Sequence, residues 1–321
     1  SLSSNQTGNY NTGCGYGTLN QNTVSQNTAI GYEVMLDNTT GDNNAGLGYR
    51  ALTNNLDGAN NTAVGSKSLQ ANTSADNCTA VGYGALILNQ SGSDNTAVGR
   101  NALDANVSGA NNTAIGESAL TTNTASHQTA VGKGAGQSVS SGAENVLVGH
   151  EAGRDGNFSA CTMVGRRAGA INTGINNTFV GHESGTLMTS GAKNSIIGRF
   201  SGNAGGLDIR TSNNHVVLSD GDGNPRLWVD DSGHAYLPDA GQLVQGSNFA
   251  TSGGSGGVRL SISSNAGRIN LFNDAGVSRS VMYFYYEGIE RGSISVRSGS
   301  TAYLTSSDYR LKENVDYTWD A

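Results

Sequence analysis

A pentapeptide of the form Asn-Thr-Ala-Val-Gly recurs along residues 1–202, as at residues 61–65. Neighbouring copies are separated by 16 or 17 residues. The glycines of the twelve copies are Gly15, Gly31, Gly48, Gly65, Gly82, Gly99, Gly116, Gly132, Gly149, Gly165, Gly181 and Gly198. Helical-hairpin repeats need about 33 residues or more, so a unit of this length fits one coil of a β-solenoid instead. The sequence therefore predicts an all-β fold: a β-solenoid or β-roll of about 12 coils, followed by a β-rich C-terminal fibre region.

A second pattern follows each glycine at a fixed distance. It reads x-x-Ala-Leu in the early copies, as at Ala85-Leu86, and x-x-small-Gly from the eighth copy, as at Ala168-Gly169. Between the two patterns lie Asn, Ser, Thr, Gly and Asp, which are typical of turns. We expect each coil to contain a short strand, a turn, a second short strand and a further turn.

The residue before the glycine is apolar in every copy, and we assign it to the interior of the coil. These residues are Cys14, Ile30, Leu47, Val64, Val81, Val98, Ile115, Val131, Val148, Val164, Val180 and Ile197. The residue preceding it in the strand points to the opposite face. That position is Ala or Gly in the first eight copies, and then becomes Leu147, Met163, Phe179 and Ile196.

This strand position changes from Ala to a large residue at the ninth copy, and the Leu of the second pattern changes to Gly at the eighth copy. Paired exchange of volume indicates one shared contact surface, because close-packed interiors respond to single methylene groups. Large apolar residues stacked on an exposed face would form a patch that monomers rarely tolerate. We therefore expect this second face to pack against sister chains around a threefold axis, giving a homotrimer. The alternative is a wider coil in which the second face is simply more core.

Composition narrows the class of protein further. The chain has 321 residues, of which 47 are glycine and 13% are charged, and its net charge is −7. A nucleic-acid partner would need a basic face, so we expect none. No apolar run approaches the roughly 18 residues of a membrane span, so we expect no span. The sequence has no initiator Met and no signal peptide, and we expect it to be part of a longer chain.

Asparagine recurs at the start of the strand in most copies. The residues are Asn27, Asn44, Asn61, Asn95, Asn112, Asn145, Asn177 and Asn194. Stacked Asn side chains can bond the neighbouring backbone at a turn, so we predict a structural ladder. Cys78 and Cys161 occupy the same position, and we interpret Cys14 as a small buried filler rather than part of a disulfide or metal set.

Two groups of polar residues raise the question of a metal site. His150-Glu151 and His182-Glu183 occur two coils apart, but they do not form a His-Glu-x-x-His motif, and solvated surface is the favoured interpretation. Asp220, Asp222 and Asn224 alternate as in a Ca²⁺ loop, but the required glycine and distal Glu are missing, which favours a plain turn. We expect no metal and no cofactor.

The chain divides into four predicted regions. Residues 1–202 are the solenoid, and residues 203–240 are a β-hairpin connector with strands at 215–218, 226–229 and 235–237. Residues 241–306 are a β-rich fibre domain that begins with a Gly/Ser-rich loop at 241–257 and continues with strands near 258–263, 268–272, 281–286 and 288–296. The aromatic run at 281–286 favours interface filling over stacking on sugar rings.

The last region, residues 307–321, contains the motif that suggests chemistry. Ser307-Asp308-Tyr309-Arg310-Leu311-Lys312-Glu313-Asn314 resembles the start of the self-cleaving intramolecular chaperone domain (peptidase S74 family) of phage tail spikes and tail fibres. The resemblance implies that Ser307 is the nucleophile, that Lys312 is its general base, and that the bond after Ser307 is cleaved. A lysine can act as a base only if burial lowers its pKa. Only 14 residues follow Ser307, fewer than the family's chaperone domain, so we expect at most a single-turnover cleavage and not an enzyme.

The repeats also look similar to those of phage fibres and, more distantly, to the β-roll heads of trimeric adhesins. We therefore expect a structural and host-recognition segment of a bacteriophage tail fibre, located in the virion. Its partners would be its own copies, other tail proteins and a host cell-surface glycan or outer-membrane receptor. One alternative is the head of a bacterial trimeric surface adhesin. Another is a glycan-cleaving tailspike, which needs paired carboxylates, for which the repeats offer Glu33, Glu117, Glu151 and Glu183.

Overall fold

The computed structural model describes residues 2–5 and 7–237 in full, and the backbone of residues 279–286, 289–297 and 300–305. These residues form strands and turns and contain no helix, and thus none that could cross a membrane. The first twelve strands contribute one strand to each coil. They are β1 Thr12–Cys14, β2 Thr28–Tyr32, β3 Ala45–Tyr49, β4 Thr62–Val64, β5 Thr79–Val81, β6 Thr96–Val98, β7 Thr113–Ile115, β8 Thr129–Val131, β9 Val146–Val148, β10 Thr162–Val164, β11 Thr178–Val180 and β12 Ser195–Ile197.

The strands stack into one parallel sheet in the order of the sequence. Equivalent residues of successive copies face one another, as Ala63 faces Ala80 and Val64 faces Val81. The predicted all-β solenoid of about 12 coils is therefore confirmed.

The second predicted strand of each coil is wrong, because a run of tight turns occupies that side. Alternate residues there adopt left-handed backbone conformations, with φ of 61° at Lys67 and 48° at Leu69. Adjacent residues such as Ala85 and Leu86 are both fully buried, which a strand with a side-chain period of two cannot achieve. The turns still hydrogen-bond from coil to coil, and the Leu69 N–H donates to the Ala85 carbonyl at 3.0 Å.

The assignment of strand faces is reversed relative to the prediction. The middle residue of each strand points into the coil, and Ala63, Leu147 and Phe179 are fully buried. The residue before the glycine points outward, so Leu47 is 46% exposed and Ile197 is 53% exposed. Cys14 is likewise exposed rather than buried. A position that is apolar in every copy indicates a face that avoids water. It does not show whether that face is buried in its own chain or lies on the outside of the coil.

The exchange of volume between the two patterns takes place inside the coil. A Cβ added to Gly185 would lie 2.7 Å from Phe179 Cδ2, and one added to Gly169 would lie 2.4 Å from Met163 Sδ. In the early coils the same space holds a buried Leu opposite a strand Ala, as with Leu103 and Ala97. The predicted shared contact surface therefore exists, but it is the core of one chain and not a contact between sister chains.

The repeated glycine lies at a close approach between the backbones of successive coils. Its φ is +138° at Gly99, a conformation that L-residues rarely adopt. A Cβ added there would lie 2.4 Å from the Gly116 carbonyl oxygen of the next coil. Both the backbone conformation and the space therefore require glycine.

The predicted Asn ladder is present and buried. Each side chain accepts a hydrogen bond from the backbone of the next rung, as Asn44 Oδ1 does from the Asn61 N–H at 2.8 Å. Its amide donates to a carbonyl of the following turn, as Asn61 Nδ2 does to Ala75 at 2.8 Å. Buried polar groups must be satisfied in this way, since an unpaired one costs stability.

A second Asn ladder lies seven residues after the glycine and was not predicted. Its members are Asn22, Asn38, Asn55, Asn72, Asn89, Asn106, Asn123 and, after two coils without an Asn at this position, Asn172, all fully buried. From Asn22 to Asn106 the amides bond one another directly, and Asn55 Nδ2 donates to Asn38 Oδ1 at 2.6 Å. Asn72 Nδ2 donates to the Ala75 carbonyl at 3.1 Å, the same oxygen that the first ladder uses.

The sheet continues beyond the repeats into the predicted hairpin. Strand β15, Val216–Ser219, pairs in parallel with β12 and places the buried Val217 below Ile196. Strands β16, Pro225–Val229, and β17, Ala235–Tyr236, then add in antiparallel order. A small ladder of β13, Asn203–Ala204, and β14, Leu207–Asp208, lies between the repeats and this hairpin.

A separate antiparallel sheet follows in the C-terminal unit. It consists of β18 Arg279–Tyr286, β19 Ile289–Arg297 and β20 Ser300–Thr305, paired in that order. The strands predicted near 281–286 and 288–296 are therefore confirmed. The strands predicted at 258–263 and 268–272 and the loop at 241–257 lie outside the described residues.

Moving the large core side chain of a late coil from the strand to the turn side by mutation should reproduce the arrangement of the early coils. Phe179→Ala should destabilise the chain by about 3–5 kcal/mol, because it empties the core of its coil. Adding Gly185→Leu to this variant should recover part of the loss, since Leu103 has the same left-handed backbone opposite an Ala. Urea unfolding of the parent, the two single variants and the double variant measures the coupling. Additive effects would contradict direct contact between the two positions.

Two of the three cysteines should resist thiol reagents. Cys78 and Cys161 are buried in the first Asn ladder, and burial raises the pKa of each thiol to about 11. Few thiolates then exist at pH 8, and the thiolate is the reactive species. Titration with a chromogenic disulfide should leave both unreacted until the chain is unfolded. Reaction of either thiol in the folded chain would show that the ladder opens.

Candidate interaction surfaces

The outward residues of the strand side form a continuous row, which we call the apolar stripe. It comprises Cys14, Ile30, Leu47, Val64, Val81, Val98, Ile115, Val131, Val148, Val164, Val180 and Ile197, all exposed or half-buried. Parallel pairing in register places each member next to its equivalent in the following coil, about 4.8 Å away. Leu218 extends the row by one rung on β15.

The face that carries the apolar stripe has no charged residue. The other outward position of each strand is usually Thr, as at Thr62, Thr79 and Thr96, and otherwise Ala, Val or Ser. A sheet face that meets water normally alternates apolar-in with polar-out residues. Monomers rarely expose large contiguous apolar patches. The long uncharged row of outward residues therefore indicates an interaction surface.

A second row, the corner ladder, borders the stripe and consists of the residue directly after each glycine. Its members are Tyr16, Tyr32, Tyr49, Ser66, Tyr83, Arg100, Glu117, Lys133, His150, Arg166, His182 and Arg199. The first three tyrosines stack, with ring centroids 5.2 and 5.4 Å apart. The remaining part is mostly charged, and its His150 and His182 are the residues predicted above as solvated surface. The corner ladder thus changes from aromatic to ionic along the chain.

The ionic part of the corner ladder pairs opposite charges across coils. Glu117 lies between Arg100 and Lys133, with its carboxylate 3.0 Å from Lys133 Nζ. The Arg100 and Lys133 cations lower the pKa of Glu117. Glu183 lies next to the ladder residue His182 and is held by Arg199 of the ladder at 3.1 Å, which lowers the pKa of the Glu183 carboxyl. These pairs are exposed, so each contributes little to stability by itself.

The four carboxylates considered for a glycan-cleaving site are all engaged with cations. Glu33 lies 2.7 Å from Arg50 Nε, and Glu151 lies 2.9 Å from Arg154 Nη1. Glu117 and Glu183 are paired as described above. A glycosidase pair needs one carboxyl that stays protonated, whereas the neighbouring cations lower the pKa of Glu117 and of Glu183. The geometry of these residues gives no support to that chemistry.

The histidines considered for a metal site belong to the same ionic rows. Arg166 Nη1 lies 3.0 Å from His182 Nε2, and His182 Nδ1 lies 3.8 Å from Glu183 Oε2. A cation beside the imidazole opposes metal binding. In the part of the chain that the structure describes, His, Cys, Asp and Glu side chains form no group of three or more that could hold a metal.

The Asp220 carboxylate closes the turn that was compared with a Ca²⁺ loop. It accepts the backbone N–H groups of Asp222 at 3.0 Å and Asn224 at 2.9 Å, and the Arg226 Nε at 2.9 Å. Partial burial opposes ionisation, but these donors prevail and lower the pKa of Asp220 to about 2. Asp230 repeats the arrangement with the N–H groups of Ser232 and His234, and its pKa is also lowered to about 2.

Ser307 and Lys312 lie outside the described residues. Their roles as nucleophile and base therefore stay predictions from the resemblance.

The two aspartate turns predict acid sensitivity of the connector. Each carboxyl has a folded-state pKa near 2 against an ordinary value of 3.8. The unfolded chain therefore binds more protons between these values, so the stabilisation is present above about pH 4 and lost as the pH falls to about 2. Asp220→Asn should lower the melting temperature at pH 7, and the difference should vanish near pH 2. Circular dichroism melts check this.

The neighbouring Asp222 provides the control for this experiment. Its side chain is exposed, and only its backbone N–H is used in the turn. Asp222→Asn should leave the melting temperature close to that of the parent at both pH values. An equal effect of the two variants would contradict the role given to Asp220.

Comparison with known proteins identifies no relative: no protein-family model, curated protein or solved structure matches the chain.

Proposed function

We propose that the chain is a structural and host-recognition segment of a bacteriophage tail fibre that assembles as a homotrimer. The observation that carries the proposal is the charge-free apolar stripe along all twelve coils. A second support is the resemblance of residues 307–314 to the start of the self-cleaving chaperone of such fibres. The β-solenoid is compatible with this function, although a solenoid alone does not specify it.

Self-association through the stripe follows from its position and its borders. Three parallel copies place identical rungs at the same height, so apolar residues meet apolar residues along the whole stripe. The corner ladder then forms the rim, in keeping with the apolar core and polar rim of protein interfaces. This assignment replaces the face first expected, because Leu147, Met163 and Phe179 fill the core of their own chain.

A C-terminal chaperone domain that is removed after folding would help such a trimer to assemble in register. Coils as similar as these specify register weakly, since a chain displaced by one coil pairs almost as well. A C-terminal clamp that aligns three chains before the stripes meet would prevent such displacement. Its removal after Ser307 would leave a fibre that cannot easily retrace its folding path.

The proposed setting is the virion, with the fibre exposed to the host. Its partners would be other tail proteins and a host cell-surface glycan or outer-membrane receptor. Stacked coils joined by backbone hydrogen bonds give a rigid support for such contacts. The ion-paired carboxylates of the coils favour binding over cleavage of a glycan, so a glycan-cleaving tailspike receives no specific support.

The mass of the assembly in solution tests the proposal. Light scattering coupled to size-exclusion chromatography should give three chains for the parent. Ile115→Asp should reduce the mass to that of one chain, because Ile115 is an exposed member of the stripe and a buried carboxylate at the interface is costly.

Val107→Asp is a matched control for this test. Val107 is 39% exposed and Ile115 is 41% exposed, but Val107 lies in a turn outside the stripe. The control should keep the mass of three chains. A parent mass of one or two chains would refute the homotrimer. A three-chain mass of Ile115→Asp with normal circular dichroism would refute assembly through the apolar stripe.

A further inference from the structure

A groove of about 590 Å³ opens where the first and second coils turn away from their strands. It is lined by Gly15, Tyr16, Gly17, Asn20, Glu33 and Leu36. Its volume lies within the range of small-molecule sites, roughly 300–1,000 Å³. The lining combines an aromatic ring, a carboxylate, an amide and an aliphatic side chain, so the groove has both apolar and polar walls.

Glycine at position 17 opens the groove. The equivalent positions in the next coils carry Glu33, Arg50 and Lys67, which cover the corner of the coil. A Cβ added to Gly17 would contact Glu33 Cγ and Leu36 Cδ1, each at 3.4 Å. The missing side chain therefore leaves the Glu33 and Leu36 side chains accessible from the first coil.

The aromatic wall is fixed in place before any ligand binds. Tyr16 is 71% exposed, and its ring stacks on Tyr32 at 5.2 Å with 14° between the ring planes. Tyr32 in turn stacks on Tyr49, and Arg50 lies 5.4 Å from the Tyr49 ring centre. A ring supported by this stack loses little conformational freedom on binding, which favours affinity.

The carboxylate of the groove is also held. Glu33 Oε2 accepts a hydrogen bond from Arg50 Nε at 2.7 Å, and only 15% of the Glu33 side chain is exposed. The Arg50 cation offsets the charge of Glu33, so the groove offers a strong acceptor without a large net field. Asp37, bonded to Gln21 at 3.2 Å nearby, adds negative charge that disfavours anionic ligands.

We propose that this groove binds a neutral pyranose ring of a cell-surface polysaccharide. The C–H face of the sugar packs on the Tyr16 ring, since aromatic side chains offer a flat apolar surface at low entropic cost. The ring hydroxyls donate to the Glu33 carboxylate, and the Asn20 amide bonds a further hydroxyl. The biological source of the sugar, a host cell, rests on the proposed function, whereas the chemistry of the groove does not.

Assembly through the apolar stripe leaves the groove available. None of its lining residues belongs to the stripe: Gly15 is the repeat glycine of the first coil, and the other five follow Gly15 or Gly31. Three copies in a fibre would present three equivalent grooves, and simultaneous binding of one polysaccharide would raise the apparent affinity.

Saturation-transfer NMR on the full chain tests the proposal directly. The probes are the methyl glycosides of glucose, galactose, mannose and N-acetylglucosamine, with methyl glucuronide as the acidic comparison. At least one neutral glycoside should receive saturation, and the glucuronide should receive less. Tyr16→Ala should weaken binding of that glycoside by about tenfold or more. Glu33→Gln should also weaken it, because a neutral amide is a poorer acceptor than a carboxylate.

Tyr83→Ala is the matched control, because Tyr83 occupies the same position of its coil, is 51% exposed and does not line the groove. This variant should bind as the parent does. Failure of every neutral glycoside to bind would overturn the proposal, and so would equal loss in the Tyr16 and Tyr83 variants.

The mass of each sample, measured alongside, separates this test from that of the proposed function. Three chains without sugar binding would refute the groove but leave the fibre standing. Sugar binding that Tyr16→Ala abolishes in a chain of monomeric mass would support the groove and refute the homotrimer.

Discussion

Backbone hydrogen bonds between successive coils are the interaction on which the solenoid depends. The strand side bonds as a parallel sheet, and the turn side bonds from coil to coil despite its left-handed residues. Both sides can do so only if neighbouring coils stay in register and close together. The glycine at the end of each strand permits that approach, because any side chain there would collide with a carbonyl of the next coil. The two buried Asn ladders then satisfy the backbone groups that the corners leave unpaired.

Close approach of the two sides of a coil limits what its interior can hold. In the early coils the large buried side chain comes from the turn side, as with Leu103. In the later coils the strand contributes one, as with Phe179, and some of these coils bury a second large residue, such as Met188. Because Ala97 or Phe179 takes the inward position of a strand, the flanking residues must point outward. The apolar stripe is therefore not surplus core. It is a second apolar surface, built outside a core that is already full.

The sequence was sufficient to predict the period, the strands and the first Asn ladder, because each is a repeated local pattern. Hydrophobicity alone could not orient the strand, since Val64 and Ala63 are both apolar and only their sizes differ. The consistently small Ala was the available signal, because a narrow interior demands it. Burial of adjacent residues such as Ala85 and Leu86 likewise argued against a second strand. Asn at seven residues after the glycine repeats just as regularly, so the same reasoning predicts the second ladder. The groove depends on a missing side chain at Gly17, which no motif marks.

The substitutions in the first Asn ladder show how the chain is divided into units. The Cys78 N–H donates to Asn61 Oδ1, as the N–H of an Asn in that place would. Residues 62–78 therefore form a complete 17-residue segment whose removal would join Asn61 to Thr79 and restore the same sequence of rungs. A chain of this design can grow or shrink by whole coils during evolution without new packing solutions. The length of the solenoid is therefore set by the number of coils, each of which adds the same increment.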